Sequence, residues 1–111
     1  MSRWKAHALH ILDCIEKIRG IEERGSLLED EVLYAATLRH LQTLAEASQQ
    51  LPDAHKADEP EIPWRDISGF RNILVHNYLG EIDPLTIQAV TREHLPRLEL
   101  AVRRILEKHE E

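Results

Sequence analysis

The sequence predicts an all-α fold, an antiparallel bundle of four to five helices formed by one domain over residues 1–111. Glycine and proline are scarce, at 4 and 5 residues, and aromatic side chains make up only 5% of the chain. Runs of valine, isoleucine and threonine are absent, so the signals that mark β-strands are weak throughout. Apolar residues instead recur at spacings of three and four, the period of a helix with one buried face. A chain of this length buries one core, which excludes a multidomain enzyme.

The first predicted helix carries a single apolar stripe near the amino terminus. Its members follow one another at spacings of 4, 3, 4 and 3: Trp4, Ala8, Ile11, Ile15 and Ile18. This periodicity is typical of a helix that packs one face on a core. We expect the helix to stop near Gly20, because glycine is a common residue at helix carboxyl ends.

The second predicted helix spans about Ser26 to Leu51. Ser26 and Glu29 fit a capping box at its start, and Asp30 offers a second possible start. Its apolar residues fall into two separate sectors of the helix circumference. Such a helix either lies at the centre of the bundle or contacts a second copy of the chain, and both interpretations stay open.

Residues 52–63 form the only linker-like stretch of the sequence. They include three prolines and four acids, which we expect to be solvated. The stretch is too short to separate two domains. Pro63 suits the first turn of a third helix, which Gly80 would end.

A long last helix is predicted from Pro84 onward, with Asp83 as its N-terminal cap. Pro96 lies inside this helix, where it has no backbone N–H to donate. We therefore expect the helix to kink or split near His94. His94 itself falls on the apolar face and is predicted to be a core histidine.

Charge and cysteine content limit the classes of function. Lys plus Arg number 14 and Asp plus Glu number 20, so the net charge is −6. This balance excludes a strongly basic nucleic-acid coat but leaves room for a local cluster of arginine and histidine. The single cysteine cannot form an internal disulfide, and no apolar run is long enough for a membrane span or a signal peptide. The expected location is the reducing cytoplasm, without membrane contact.

A second candidate site lies on the first helix. His7, His10 and Cys14 share one side of it and offer ligand types that zinc accepts. No fourth ligand follows at a recognisable spacing, so a partly buried thiol beside two imidazoles is the favoured interpretation and no metal site is predicted. Cys14 is also a poor nucleophile candidate, because no helix N-terminus acts on it. The remaining histidines are predicted at the surface: His40, His55 and His109.

Residues 71–78, Arg-Asn-Ile-Leu-Val-His-Asn-Tyr, are the densest functional candidate. Histidine accepts or donates a proton near neutral pH, and arginine offers fixed donors to phosphate oxygens. Together they could cleave RNA without a metal, His76 taking the proton of a 2′-hydroxyl while Arg71 neutralises charge on the phosphate. The plainer interpretation treats residues 73–75 as core and the polar residues as a solvated helix end.

The spacing of Arg71 and His76 sets a geometric condition on such a site. They are five residues apart, about 140° around an ideal helix, so they do not share a stripe. A working site needs the arginine to reach round, a loosened helix end, or a second copy of the chain opposite. The last option predicts a homodimer with the site across its two-fold axis.

Three ordered segments, 60–64 (PEIPW), 67–72 (ISGFRN) and 76–78 (HNY), resemble the HEPN superfamily, specifically HepT-type toxins. Residues 39–41 and 46–47 match a further block of that family. The resemblance covers roughly residues 30–106 and implies an all-α homodimer in which Arg71 and His76 of both copies face one cleft. Those two residues would carry metal-independent RNA cleavage without a cofactor, and Asn72 would assist.

The resemblance also implies a partner. The chain would be the toxin of a toxin–antitoxin pair, neutralised by an antitoxin that is a minimal nucleotidyltransferase of the MntA type. That partner would transfer AMP from ATP onto Tyr78, and the added phosphates beside Arg71 would repel RNA. Two other classes remain open: a non-catalytic subunit that binds a nucleotide or the transferase, and a structural dimerisation module.

Overall fold

The computed structural model describes residues 3–76 and 82–110. Within these ranges every regular element is helical, which confirms the all-α prediction. In chain order the elements are α1 (Arg3–Arg24), α2 (Glu31–Ser48), α3 (Asp53–Ala57), α4 (Trp64–His76), α5 (Pro84–Ala89), a π-helical segment (Val90–His94) and α6 (Leu95–Lys108). None of these helices is long and apolar enough to cross a membrane.

α1 and α2 form the centre of the bundle: they pack against each other, α6 packs against α1, and α4 packs against α2. The predicted stripe of α1 provides much of the core: Ala8, Ile11, Ile15 and Ile18 are fully buried and Trp4 is half-buried. Leucines of α2 and the apolar face of α6 complete this core. The helical period of the sequence therefore identified the buried face of α1 correctly.

The predicted stop of α1 at Gly20 is wrong, because the helix continues to Arg24. Gly20 is exposed and a Cβ built there would meet no other atom within 4 Å. One glycine inside a helix costs only about 1 kcal/mol, less than the gain from a further turn that half-buries Ile21. The chain turns at Gly25, whose φ of +157° is one that side-chain-bearing residues rarely adopt.

The start of α2 is set by the second of the two predicted caps. The Asp30 carboxylate accepts the backbone N–H groups of Val32 and Leu33, at 2.9 and 3.3 Å. The capping box that begins at Ser26 is wrong, since Ser26 Oγ accepts the Leu28 N–H and so stabilises a turn ahead of the helix. α2 is therefore shorter at both ends than the pattern predicted.

Residues 52–63 are a packed cover of the bundle rather than a solvated linker. They contain α3, and Glu59 and Ile62 are buried. Glu59 accepts hydrogen bonds from the Arg104 guanidinium, which lowers the pKa of its carboxyl group. The Trp64 indole N–H donates to the carbonyl oxygens of Lys56 and Glu59, at 3.1 and 3.2 Å. The expectation that all four acids are solvated is therefore wrong for Glu59. Its partner Arg104 is distant in the sequence, so the local composition could not predict this contact.

The last helix is interrupted where proline was expected to interrupt it. Asp83 accepts the Leu85 N–H at 2.9 Å and caps α5, as predicted. Pro96 has no N–H, and the turn before it widens so that the Leu95 N–H reaches the Val90 carbonyl, five residues back. The prediction that His94 belongs to the core is wrong, because this wide turn shifts the phase of the helix and leaves His94 exposed.

Candidate active site

α4 carries three of the four predicted site residues, and α2 supports it. The helix begins at Trp64, directly after Pro63, and packs on the bundle through half-buried side chains such as Phe70 and Leu74. No residue of α4 is fully buried, and Ile73 remains 52% exposed. The interpretation of residues 73–75 as ordinary core is therefore wrong for Ile73.

Arg71 is held against α2 by an acid. Its Nε atom lies 3.5 Å from Glu46 Oε1, and about a third of the arginine side chain is exposed. The Nε atom is enclosed and has no directed hydrogen bond to any described residue, so Glu46 acts on it through charge. Glu46 Oε1 in turn accepts the side-chain amide of Gln42 at 3.1 Å. The inner end of the guanidinium is thus anchored while its outer part stays accessible.

Asn72 contacts the same guanidinium from the next position along the helix. Its Oδ1 accepts a hydrogen bond from Arg71 Nη1 at 3.3 Å, and the Asn72 side chain is exposed. The amide therefore restricts the outer end of Arg71 as Glu46 restricts the inner end. Together the two contacts favour one orientation of the arginine fork, which is what recognition of a phosphate group requires.

His76 is the last residue of α4 and is exposed. Five helical residues separate it from Arg71, about 7.5 Å along the axis and 140° around it. No hydrogen bond or ion pair joins the two side chains within the described part of the chain. A single copy therefore presents Arg71 and His76 on one helix without bringing them together. Tyr78, the predicted modification site, lies outside the described residues.

Glu46 belongs to the block 46–47 that resembles the HepT-type proteins, but its contact with Arg71 was not predicted. One signal could have found it, since Glu46 is the only acid between Val32 and Ser48. A half-buried acid usually faces a cation. Its partner was not predictable, because Arg71 lies 25 positions further along the sequence, beyond α3.

A groove of about 440 Å³ lies between α2, α4 and the start of α6. Apolar side chains such as Leu41, Leu44 and Phe70 form its floor, and charged or polar ones such as Asp66 and Arg97 stand at its rim. An apolar floor does not suit a phosphate group. The groove is therefore a poor candidate for a phosphate-binding site.

The candidate site on α1 is not assembled in the structure. His10 Nε2 lies 3.8 Å from Cys14 Sγ, a weak contact, and Cys14 is buried. Burial raises the pKa of the Cys14 thiol, which disfavours the reactive thiolate. His7, His10 and Cys14 do not converge on one point, whereas the described residues that do are His55, Asp58 and His109. The three histidines predicted at the surface are each half-buried: His40, His55 and His109.

Comparison with known proteins agrees with this architecture. A family model described as "Ribonuclease HepT-like" matches residues 9–105. "Putative RNase TTE0752" of Caldanaerobacter subterraneus is 34% identical over 103 residues, covering 89% of this chain and 90% of that protein. "Probable ribonuclease HepT" of Thermococcus cleftensis is 32% identical over 100 residues, covering 85% and 90%. No solved structure matches significantly. The helical bundle and these matches together show that the chain belongs to the HepT-like ribonuclease family.

Proposed function

We propose that this chain is a metal-independent endoribonuclease toxin whose site is formed by Arg71, Asn72 and His76. The observation that carries the proposal is the anchored but accessible guanidinium of Arg71 on the same helix as an exposed imidazole. Family membership supports the ribonuclease class, and the side chains supply a chemistry that needs no metal or cofactor.

The reaction uses proton transfer and one charge stabilisation. The His76 imidazole takes the proton of an RNA 2′-hydroxyl, and the 2′-oxygen attacks the adjacent phosphorus. The bond between phosphorus and the 5′-oxygen breaks, the His76 imidazolium returns a proton to the 5′-oxygen, and a 2′,3′-cyclic phosphate remains on the other product. Arg71 neutralises the charge that grows on the phosphate oxygens, and Asn72 keeps its guanidinium oriented.

A homodimer brings the two groups within reach of one phosphate. α4 has no fully buried residue, and Ile73 exposes about half of its surface to solvent. A second α4 packed antiparallel on this face would cover Ile73 and set Arg71 of one copy opposite His76 of the other. Such an interface must bury at least about 1,000 Å² to be stable, more than α4 alone offers, so neighbouring elements take part.

The proposed partner is a nucleotidyltransferase antitoxin of the MntA type that modifies Tyr78. In that step the Tyr78 hydroxyl oxygen attacks the α-phosphorus of ATP, pyrophosphate leaves, and the hydroxyl proton passes to a base. Tyr78 follows Arg71 by seven residues, nearly two helical turns, so a helix continued to it would place both on one side. The new phosphate would then occupy the guanidinium and exclude the phosphate of RNA.

The test is cleavage of RNA by the purified chain in EDTA. We expect His76→Ala and Arg71→Ala to reduce the rate at least 100-fold while size-exclusion chromatography still reports a dimer. His10→Ala is the matched control, since His10 is an exposed histidine outside α4. If RNA stays intact but ATP or a transferase binds and Arg71→Ala weakens that binding, the chain is a non-catalytic binding subunit. If no variant changes binding or cleavage, only a structural role is left.

A further inference from the structure

A second cluster of ionisable side chains joins α3, in the middle of the chain, to the carboxyl end of α6. His55 belongs to α3, Asp58 directly follows it, and His109 caps the carboxyl end of α6. Asp58 and His109 are 51 residues apart in the sequence, yet Asp58 Oδ2 lies 3.3 Å from His109 Nε2. None of these residues belongs to α4, so the cluster is separate from the proposed nuclease site.

The geometry of the cluster is close to that of a metal-binding site. One ligand atom from each of His55, Asp58 and His109 lies within 4.8 Å of both others. Ligand atoms of a tetrahedral zinc site lie about 3.3 Å apart, because zinc–nitrogen and zinc–oxygen bonds are about 2.0–2.1 Å long. The Asp58–His109 pair already has this separation. Closing the remaining gaps takes at most about 1.5 Å, and rotation of one imidazole about χ2, out of its stack on the other, would turn both ring planes toward one ion.

The two imidazoles pack against each other and against an aromatic ring, which restricts their orientations. The His55 and His109 rings are stacked, with centroids 3.7 Å apart, and the half-buried Trp4 ring stands edge-on to both. His55 Nδ1 is enclosed and has no hydrogen-bond partner among the described residues. A buried polar atom of this kind normally has a partner, and a metal ion would satisfy a ring nitrogen as a hydrogen bond does.

We propose that His55, Asp58 and His109 bind a divalent transition-metal ion of the zinc type. Two imidazoles and one carboxylate suit zinc, nickel or copper, and three protein ligands leave a fourth position for water. The bound ion fastens α3 to the end of α6 and acts as a structural clip rather than a catalytic centre. Lys108 Nζ lies 3.1 Å from Asp58 Oδ1, the carboxylate oxygen that does not face His109. The lysine therefore orients the Asp58 carboxylate, and its positive charge lowers the affinity of the site for a metal ion.

The experiment uses the purified full chain, stripped with a chelator, and Zn²⁺ as the probe. We expect saturable binding of one ion per chain in calorimetry. With free Zn²⁺ at 100 times the Kd, the midpoint of thermal unfolding should rise by roughly 10 °C. Asp58→Asn and His109→Gln should each weaken binding at least 10-fold and remove most of this rise. His94→Gln, which replaces an exposed histidine outside the cluster, should leave the Kd for Zn²⁺ and the Zn²⁺-induced rise of the unfolding midpoint unchanged.

Each comparison is made between the metal-free and metal-bound forms of one variant, so a change in metal-free stability does not obscure the result. Replacing Zn²⁺ by Co²⁺ separates this site from His10 and Cys14, because only a thiolate ligand adds a sulfur-to-cobalt charge-transfer band. Absence of saturable Zn²⁺ binding would overturn the proposal. Equal metal-induced shifts in wild type and in both ligand variants, or a strong charge-transfer band, would also overturn it.

Discussion

Replacing Glu46 by glutamine isolates the anchoring of Arg71 from its chemistry. Glu46 Oε1 lies 3.5 Å from Arg71 Nε, which corresponds to a gross attraction of about 5 kcal/mol at an effective dielectric constant of 20. The two side chains are 32% and 43% exposed, so solvent screening and desolvation reduce the net contribution to about 1 kcal/mol. Glutamine keeps the shape and can still bond to Gln42, but it removes the charge.

We expect Glu46→Gln to lower kcat for RNA cleavage about 5-fold, the factor that corresponds to 1 kcal/mol of lost orientation. KM should stay equal or fall, since removing a carboxylate leaves Arg71 more attractive to phosphate. The assay is steady-state cleavage of a short RNA in EDTA, with Glu31→Gln as the control because Glu31 is an exposed acid in the first turn of the same helix. An unchanged kcat, or an equal loss in the control, would refute the anchoring role.

Further predictions concern stability and reactivity. Hydrogen bonds from Arg19 lower the pKa of Glu99 from 4.5 to about 2. The contribution of ionised Glu99 to the free energy of unfolding is therefore complete above pH 4.5 and is lost as the pH falls toward 2. Because the Arg19 side chain is 42% exposed, Glu99→Gln should cost only about 1–2 kcal/mol in denaturant unfolding at pH 7, and a cost that persists unchanged at pH 2 would contradict this linkage. Gly25→Ala should destabilise by about 1–2 kcal/mol because of its positive φ and a leucine of α2 lying 3.2 Å from the added Cβ. Gly20→Ala should stabilise by about 0.5–1 kcal/mol, and equal effects at the two glycines would refute the distinction. Cys14 should react with a thiol reagent no faster than the chain unfolds, because it is buried with a raised thiol pKa; rapid reaction under native conditions would disprove this.

The helical periodicity predicted α1 and its buried stripe, and proline predicted the break before Pro96. Errors arose where a local signal competes with packing. Gly20 resembles a residue at a helix end, but glycine destabilises a helix by only about 1 kcal/mol. The helix therefore continues through it for one more turn, to Arg24. On an ideal helix His94 would lie on the apolar face, but it is the last residue of the wide π turn, which moves it off that face. Residues 52–63 have the composition of a linker. The contact that buries Glu59 is with Arg104, 45 positions further along the sequence, so the local composition does not indicate it.

The sequence by itself determined that this chain is a small helical bundle, and it predicted Arg71, Asn72 and His76 as the candidate site residues. Only the tertiary structure decided that Glu46 faces Arg71 and that His55 and Asp58 meet His109. The physical reason is that residue spacing determines which face of a helix is apolar, and therefore buried. Which side chain of another helix covers that face depends on how whole helices dock, and docking sums many weak contacts between residues far apart in the chain.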